Sequence, residues 1–331
     1  MKATDYEKKT IFCTGLTGFI GTNLYLNLAP KGAQFVALVP KEEAETGDYL
    51  KGAIVHEGKI EDIEKIERIL EKHRVDYVIH LAASATVGAA ANNPLDTFET
   101  NVRGTWNVME AIRRNPGQIK GVIFASTDKV YGNGMGTAYV ETEALEPEYT
   151  YDISKACADT IARGFWRNYN VPIIVTRFCN VYGAWDRNDS RIVPRTLKQI
   201  REGKQPVVHY FRDMDGRKQL FQRDLIYIED IIDGLERTIG ALEMGMYLGE
   251  VFNLGTGQCY TVDRIVEMIS LKAGYEGGCT MKEITGGELH FQSMSFQKAK
   301  RLLGFEPTHS LEMGIEKTVA WFQGQGEQQK T

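Results

Sequence analysis

Short apolar runs alternate with longer amphipathic stretches over the first half of the chain. The apolar runs occupy residues 10–13, 35–39, 53–56, 77–82, 121–125 and 173–177. Continuous runs of this length, rich in Val and Ile, are typical of parallel strands that are buried on both faces of a sheet. The stretches between them predict helices at residues 21–28, 61–73, 95–113 and 151–168. The alternation predicts an α/β fold with a Rossmann-type, doubly wound parallel sheet.

The alternation ends near Gly183, and the segment that follows, to residue 222, is mixed and polar. A strand–helix unit and one more strand are predicted within 225–254, and two further helices at 261–273 and 311–323. We therefore expect a first domain over residues 8–183, to which segments near 225–254 return. Residues 184–224 and 255–325 are expected to form a smaller C-terminal α/β lobe that faces the substrate.

Composition narrows the class of protein further. The chain has 331 residues, 43% of them apolar, which suffices for a folded core. The net charge of −5 argues against binding to nucleic acid or to an anionic membrane, because both need a clustered basic face. We expect no membrane span, since none of the apolar runs approaches roughly 20 residues, and no signal peptide. The five cysteines are scattered without paired spacing, which predicts no disulfides and no metal site and favours a cytoplasmic setting.

A glycine-rich loop follows the first apolar run. Residues 14–21 have the sequence Thr-Gly-Leu-Thr-Gly-Phe-Ile-Gly, and a predicted helix comes directly after them. In such loops the first glycine, Gly15, permits a tight turn, Gly18 lets the backbone approach a pyrophosphate, and Gly21 lets helix and strand pack closely. The helix N-terminus adds free N–H groups and a positive dipole. Because a strand precedes the loop and a helix follows it, we predict a dinucleotide site.

This loop and several later segments resemble the extended short-chain dehydrogenase/reductases, a family of nucleotide-sugar epimerases and dehydratases. The later segments are residues 80–83 (His-Leu-Ala-Ala), 101–107, 177–183, 223–230 and 252–255. The resemblance implies an enzyme whose first domain binds NAD(P) and whose C-terminal lobe binds a nucleotide sugar. The implied cofactor residues are Gly15, Gly18, Phe19, Ile20, Gly21, Leu81, Ala82, Ala83, Asn101, Ser126, Tyr151 and Lys155. His80 is interpreted as a structural residue at a strand end.

The choice between NAD and NADP depends on the end of the second strand. In this fold an acidic residue there binds the ribose 2′-OH of NAD, whereas a basic one binds the 2′-phosphate of NADP. Pro40 and Lys41 stand at this position, and Lys59 replaces an expected Asp near the adenine. We expect NAD, because the related dehydratases mostly use it, with NADP as the alternative.

Tyr151 and Lys155 form a Tyr-x-x-x-Lys pair on a predicted helix. Positions four apart lie on one helix face, so the ammonium group can lie near the phenol. A free tyrosine has a pKa of about 10. A nearby Lys⁺ and an oxidised nicotinamide both favour the tyrosinate, which makes Tyr151 a candidate base for a sugar hydroxyl. Thr127, at the carboxyl end of the strand 121–125, can hydrogen-bond the same hydroxyl.

Asp128 and Lys129 follow Thr127 directly. The segment Ser-Thr-Asp-Lys-Val-Tyr-Gly at 126–132 resembles the nucleotide-sugar 4,6-dehydratases that act on CDP-glucose. The resemblance implies transient oxidation at carbon 4, loss of water across carbons 5 and 6, and hydride return to carbon 6. Lys129 would be the carbon-5 base and Asp128 the acid, each with a pKa shifted by desolvation. An Asp128–Lys129 salt bridge with both groups charged is the alternative interpretation.

The resemblance also implies how the substrate is held. A nucleotide-diphosphate hexose would contact Thr86, Asn180, Arg191 and Arg223, with Glu288 and Gln292 near the nucleotide ribose. Arg217 is a further candidate. The helices at 95–113 and 151–168 would form a four-helix homodimer interface. Trp106, Met109 and Cys157 suit such a face, although they could equally face the sheet.

Three functions remain open at this point. The first is the 4,6-dehydratase, and the second is a nucleotide-sugar epimerase acting at carbon 4 or carbon 2. Asp128 favours the first, since simple 4-epimerases usually carry small or neutral residues there. The third is a non-catalytic dinucleotide sensor, because a fold does not fix a function. Retention of Thr127, Tyr151 and Lys155 argues against the sensor.

Overall fold

Strands and helices alternate along the computed structural model, which describes residues 6–43, 48–84, 87–134 and 136–328. The strands are β1 Thr10–Thr14, β2 Gln34–Val39, β3 Ile54–Glu57, β4 Tyr77–His80, β5 Gly121–Thr127, β6 Ile173–Phe178, β7 Asn180–Tyr182, β8 Val207–Arg212, β9 Lys218–Leu220, β10 Gln222–Arg223, β11 Leu225–Tyr227, β12 Val251–Leu254, β13 Tyr260–Thr261, β14 Thr280–Glu283 and β15 Phe291–Gln292. The helices are α1 Phe19–Leu28, α2 Ile63–His73, α3 Val87–Asn92, α4 Pro94–Phe98, α5 Gly104–Arg114, α6 Thr150–Tyr169, α7 Ile192–Arg201, α8 Ile228–Glu243, α9 Val262–Lys272, α10 Gln297–Leu303 and α11 Leu311–Gln328.

Seven parallel strands form the central sheet, in the order β12-β6-β5-β4-β1-β2-β3. The predicted doubly wound parallel sheet is confirmed. Strand order reverses between β1 and β4, and sheets of this kind bind ligands beyond the carboxyl ends of their strands at that point. The late strand β12 pairs with β6, with Val251 opposite Val175.

The side chains of the sheet alternate between two apolar cores. Ile11 and Cys13 of β1 belong to the core that α1 and α8 cover, whereas Phe12 belongs to the core that α2, α5 and α6 cover. Because both faces of the sheet are buried, these strands need apolar residues at successive positions. This explains why the sequence shows continuous apolar runs rather than alternation.

The C-terminal part of the chain carries smaller sheets. Their strand orders are β13-β10-β15, β11-β7 and β14-β8-β9. A separate apolar cluster, built by Val208, Phe221, Val262 and Val266, lies among them. The helix α7 and the strands β8 and β9 lie in the polar segment between Gly183 and residue 222, for which the sequence pattern predicts no helix or strand.

The predicted helix 95–113 is not continuous. A π-helical turn, Glu99–Arg103, joins α4 to α5. The Thr105 hydroxyl donates to the carbonyl oxygen of Asn101 at 2.6 Å within this turn, and such π-turns recur at functional sites. Met109, one of the residues suited to a dimer face, is fully buried against the sheet, whereas Trp106 and Cys157 are exposed.

Some features are absent from the part of the chain that the structure describes. The cysteines Cys13, Cys157, Cys179, Cys259 and Cys279 are free thiols. Among the described residues, no cluster of three or more His, Cys, Asp or Glu side chains could hold a metal ion. Over the same ranges, every helix is too short or too polar to cross a membrane.

Candidate active site

The glycine loop borders a cavity of about 720 Å³. Gly15 has a φ of 74°, which favours glycine. Gly18 is the N-cap residue of α1. Because it has no side chain, the first N–H groups of the helix are not covered by one. A Cβ atom on Gly21 would lie 2.3 Å from the Gly15 carbonyl oxygen, so the close approach of helix and loop requires glycine there. Backbone and helix N-terminus therefore offer the cavity a pyrophosphate cradle.

Most of the predicted cofactor residues line this cavity: Gly15, Gly18, Phe19, Ile20, Gly21, Leu81, Ala82, Ala83, Ser126, Tyr151 and Lys155. Asn101 lies behind the cavity wall instead. Its side chain accepts from the Ser84 N–H at 2.7 Å and donates to the Ser154 hydroxyl at 2.8 Å. Asn101 thus ties the segment after β4 to the helix that carries Tyr151 and Lys155.

The acidic group missing from the end of β2 is supplied by the turn that follows. Glu42 and Glu43 line the cavity beside Pro40 and Lys59. The Glu43 carboxylate accepts a hydrogen bond from the Thr17 hydroxyl of the glycine loop. Carboxylates at this position can accept hydrogen bonds from ribose hydroxyls and would repel a 2′-phosphate, so the cavity fits NAD.

Tyr151 and Lys155 lie one turn apart on α6. The Lys155 ammonium donates to the Ala125 carbonyl oxygen at 2.6 Å and lies 4.6 Å from the centre of the Phe124 ring. Burial lowers the pKa of Lys155 to about 8. Burial also raises the pKa of Tyr151 above its usual value, and the charge that lowers it most is that of Arg191. Tyr151 is therefore protonated at neutral pH in this structure.

Asp128 is held by two hydrogen bonds at the end of β5. Its side chain is 2% exposed. Oδ1 accepts from the Thr127 hydroxyl at 3.0 Å, and Oδ2 accepts from the Gln292 amide at 2.9 Å. Burial raises the pKa of Asp128 to about 6, although the Lys129 charge lowers it. Lys129 forms no ion pair within 4.0 Å among the described residues, so the structure does not have the Asp128–Lys129 salt bridge.

His80 has a structural role, as the sequence indicated. One ring nitrogen lies 2.6 Å from the Thr14 hydroxyl and the other 3.0 Å from the Thr105 hydroxyl. Burial lowers the pKa of His80 to about 3, so the ring is neutral. It bridges β1 and α5 below the cavity.

A second cavity, of about 360 Å³, adjoins the first. Its walls include Asp128, Lys129, Tyr151, Asn180, Arg191 and Arg223. The Asn180 amide donates to the Asp224 carbonyl oxygen at 3.2 Å. Arg191 pairs with Asp186 at 3.0 Å, and Arg223 pairs with Glu288 at 2.7 Å. Thr86 lies outside the described residues. Three of the four predicted substrate residues thus line one cavity together with Asp128, Lys129 and Tyr151.

Sequence analysis missed two residues at this site. Arg195 lines the second cavity, and its Nε has no hydrogen-bond partner within the described residues. Arg191 is the N-cap residue of α7 and Arg195 lies in the first turn of that helix, for which the sequence pattern gave no prediction. Asp152 is fully buried beside Tyr151, both of its oxygens lack partners in the same residues, and burial raises its pKa to about 6. Nothing in the sequence signalled that burial.

Gln292, which the resemblance places near the nucleotide ribose, contacts Asp128. Its amide donates to the Asp128 carboxyl group, and its side chain is completely buried. Glu288 pairs with Arg223. Burial raises the pKa of Glu288, but the charges of Arg223 and Lys129 outweigh it and the net pKa is lowered.

Together, the parallel sheet, the glycine cradle and the adjoining Tyr–Lys pair define a dinucleotide-dependent enzyme of the Rossmann type. The model of the NAD dependent epimerase/dehydratase family matches residues 11–255. The chain belongs to this family, and its cofactor is NAD.

Relatives of both activities are similar to this chain. "UDP-glucuronate 4-epimerase 1" of Arabidopsis thaliana is 27% identical over 334 residues, covering 95% of this chain and 76% of that protein. "dTDP-glucose 4,6-dehydratase" of Shigella flexneri is 28% identical over 345 residues, covering 94% and 92%. The structure of UDP-glucose 4-epimerase from Thermotoga maritima, solved with UDP-glucose, has a TM-score of 0.85 at 30% identity and covers 96% of this chain and 99% of that one. dTDP-glucose 4,6-dehydratase from Bacillus anthracis, solved with NAD, has a TM-score of 0.82 at 25% identity and covers 96% and 98%.

Proposed function

We propose that the protein is a nucleotide-diphosphate-hexose 4,6-dehydratase, which forms a 4-keto-6-deoxyhexose still linked to its nucleotide. The observation that carries the proposal is Asp128, a buried carboxyl group with a raised pKa that lines the cavity beside Thr127 and Tyr151. An epimerase acting at carbon 4 needs proton transfer at one hydroxyl only. Loss of water needs two more groups, one to remove a proton and one to donate one.

Each residue then has one task. Tyr151 takes the proton of the 4-hydroxyl, which Thr127 orients by a hydrogen bond, and Lys155 supports the tyrosinate. When bound, NAD would accept the hydrogen and electron pair that leave carbon 4 and would return them to carbon 6 once water has left, so that the overall reaction needs no external reductant. Lys129 removes the carbon-5 proton, which the new ketone has made acidic. Asp128 protonates the 6-hydroxyl as the bond from carbon 6 to oxygen breaks, so that water leaves.

Charge around the second cavity supports a nucleotide-diphosphate substrate. Arg191, Arg195 and Arg223 line it together with Asn180, and arginine can bind phosphate oxygens bidentately. In this proposal, residues 8–183 with the returning segments near 225–254 hold NAD. Residues 184–224 and 255–325 hold the nucleotide sugar.

An epimerase is the second candidate, because Thr127, Tyr151 and Lys155 suffice for it and because the similar proteins named above include 4-epimerases. Asp128 bears on which sugar such an enzyme would accept. A uronic acid would bring its carboxylate next to a buried carboxyl group, which like-charge repulsion disfavours. A neutral hexose is therefore the favoured substrate for either activity.

Mass analysis of the products tests the proposal. The purified protein is incubated separately with CDP-glucose, UDP-glucose, dTDP-glucose and GDP-mannose. We expect loss of one water from one of them, abolished by Tyr151→Phe and by Asp128→Asn. Tyr169→Phe and Asp233→Asn, at exposed positions on α6 and α8, are the matched controls. A sugar isomer of unchanged mass would instead establish an epimerase, and no turnover would favour the non-catalytic sensor.

We also propose a homodimer formed through α4, α5 and α6. Three neighbouring helices each expose a large apolar side chain: Leu95 is 72% exposed, Trp106 44% and Ile153 36%. We expect Trp106→Glu to halve the mass measured by light scattering. Met313→Glu, at an exposed apolar position on α11, should leave the mass unchanged. A monomeric wild-type protein would contradict this proposal. The cytoplasmic setting stays a prediction.

A further inference from the structure

A buried glutamine from the C-terminal part of the chain contacts the Asp128 carboxyl group. Gln292 lies on β15, 164 residues from Asp128, and its Nε2 is 2.9 Å from Asp128 Oδ2. Its side chain is 0% exposed. The other carboxyl oxygen accepts from Thr127. Both oxygens of Asp128 are therefore fixed by neutral donors.

Of the two polar atoms of the Gln292 amide, the nitrogen has a hydrogen-bond partner among the described residues and the oxygen has none. Its Oε1 is buried and has no hydrogen-bond partner within the described residues. An unsatisfied buried polar atom costs free energy comparable to a lost hydrogen bond. The amide nitrogen, in contrast, donates to the buried Asp128 Oδ2. The position therefore points to a task performed by the amide N–H group.

The strands that carry Gln292 also carry a candidate substrate residue. In the parallel pairing of β15 with β10, Gln292 lies opposite Arg223. The Asp224 N–H donates to the Gln292 carbonyl oxygen at 2.9 Å. The donor to Asp128 and the arginine proposed to bind the diphosphate are therefore held in a fixed register.

Several charged and titratable groups face Asp128 besides its two hydrogen-bond donors. Lys129, on the same turn, and Arg223 favour the ionised carboxylate, whereas Asp224 opposes it. The phenols of Tyr139 and Tyr151, the Asp152 carboxyl group and the Cys179 thiol also interact with it electrostatically. A neutral amide in this setting stabilises the carboxylate without adding a third cation to Lys129 and Arg223, which would favour the ionised form further.

We infer that Gln292 is a positioning residue for Asp128, and that its amide N–H stabilises the carboxylate that remains once Asp128 has given its proton to the departing hydroxyl. The inference rests on the proposed dehydratase. In that step the O–H bond of Asp128 breaks and its proton goes to the 6-hydroxyl oxygen. The bond from carbon 6 to that oxygen breaks, and water leaves. The electron pair of the former bond from carbon 5 to hydrogen forms the carbon 5–carbon 6 double bond, and Lys129 holds the carbon-5 proton.

Gln292→Met tests this role, because methionine has a similar length and no N–H donor. Measured at about pH 5, where Asp128 holds its proton in both proteins, the turnover number for water loss should fall up to about tenfold, because the carboxylate formed in the step loses one hydrogen bond, while KM stays within about threefold of wild type. The pKa of Asp128, followed by carbon-13 NMR of the carboxyl group and assigned with Asp128→Asn, should rise by about one unit. Gln297→Met, at an exposed position on α10, is the matched control.

A second variant keeps the inference testable if Gln292→Met does not fold. Gln292→Glu keeps the side-chain length and places an acidic group against Asp128, so the Asp128 pKa should rise further. An unchanged pKa and a rate within about twofold of wild type in either folded variant would overturn the inference. The NMR titration needs no turnover. It therefore tests the Gln292 contact even if the protein proves not to be a dehydratase.

Discussion

The lead in water loss that this protein has over its Asp128→Asn variant should shrink as the pH rises above about 6, because only the protonated carboxyl group can donate to the departing hydroxyl. Burial raises the pKa of Asp128 to about 6. At that pKa about one half of the groups carry a proton at pH 6, about one tenth at pH 7 and about one hundredth at pH 8. The ratio of the wild-type rate constant for water loss to that of Asp128→Asn should therefore fall almost tenfold for each pH unit above 7.

The ratio cancels the opposite pH dependence of Tyr151 and Lys129, because both residues act as bases in either protein. Enzyme in excess is mixed with the accepted nucleotide hexose, the reaction is quenched, and the loss of one water is followed by mass spectrometry at a series of pH values. Asp128→Asn should slow water loss by about 10²- to 10⁴-fold at pH 6, the usual contribution of a general acid. Asp233→Asn should behave as wild type. A ratio that is flat between pH 6 and pH 8, or an Asp128→Asn rate within about tenfold of wild type at pH 6, would refute the role of Asp128.

Two further predictions concern ligand binding. Gly21→Ala should weaken NAD binding by more than about tenfold in calorimetry, because the new Cβ would lie 2.3 Å from a loop carbonyl and displace the pyrophosphate cradle. Gly164→Ala, whose Cβ would meet no atom within 4 Å, should bind NAD normally. Arg195→Gln should raise the Kd for a nucleoside diphosphate about tenfold by removing from the cavity a cation that forms no ion pair with the residues the structure describes. Arg201→Gln, at the exposed end of the same helix, should leave that Kd unchanged.

The sheet could be predicted from sequence because its strands are buried on both faces and so consist of continuous apolar runs. The C-terminal part could not be predicted in the same way. β8 is mostly half-exposed, and β10, β13 and β15 contain two residues each. Such short, partly exposed strands have too few positions to establish a period. The break between α4 and α5 depends on side-chain contacts made in the folded chain.

The residues of the site likewise include some that the sequence predicts and others that it does not. Thr127, Asp128, Tyr151 and Lys155 belong to local motifs, so their spacing alone placed them at one strand end and on one helix face. The partner of Asp128 comes from 164 residues away. Glu43 lines the NAD cavity from the turn after β2, beyond the strand end at which this fold usually carries its acidic residue. The spacing of residues along the chain predicts which side chains the site contains. Tertiary packing determines which of their neighbours shifts the pKa of each side chain.

Overall similarity therefore does not separate the two activities of this family. The epimerases and the dehydratases compared above share the sheet and reach similar identity to this chain. A Tyr–Lys pair beside NAD supports oxidation at carbon 4 in either reaction, so the outcome depends on what meets carbons 5 and 6 afterwards. In the proposed dehydratase that place is taken by Asp128, a buried carboxyl group with a pKa of about 6, fixed by Thr127 from its own strand and by Gln292 from the part of the chain that carries Arg223. In that proposal a small neutral residue at position 128 would leave the ketone with no acid to expel water. The proposal therefore predicts dehydration, rather than epimerisation, as the fate of the oxidised sugar whenever this carboxyl group holds its proton.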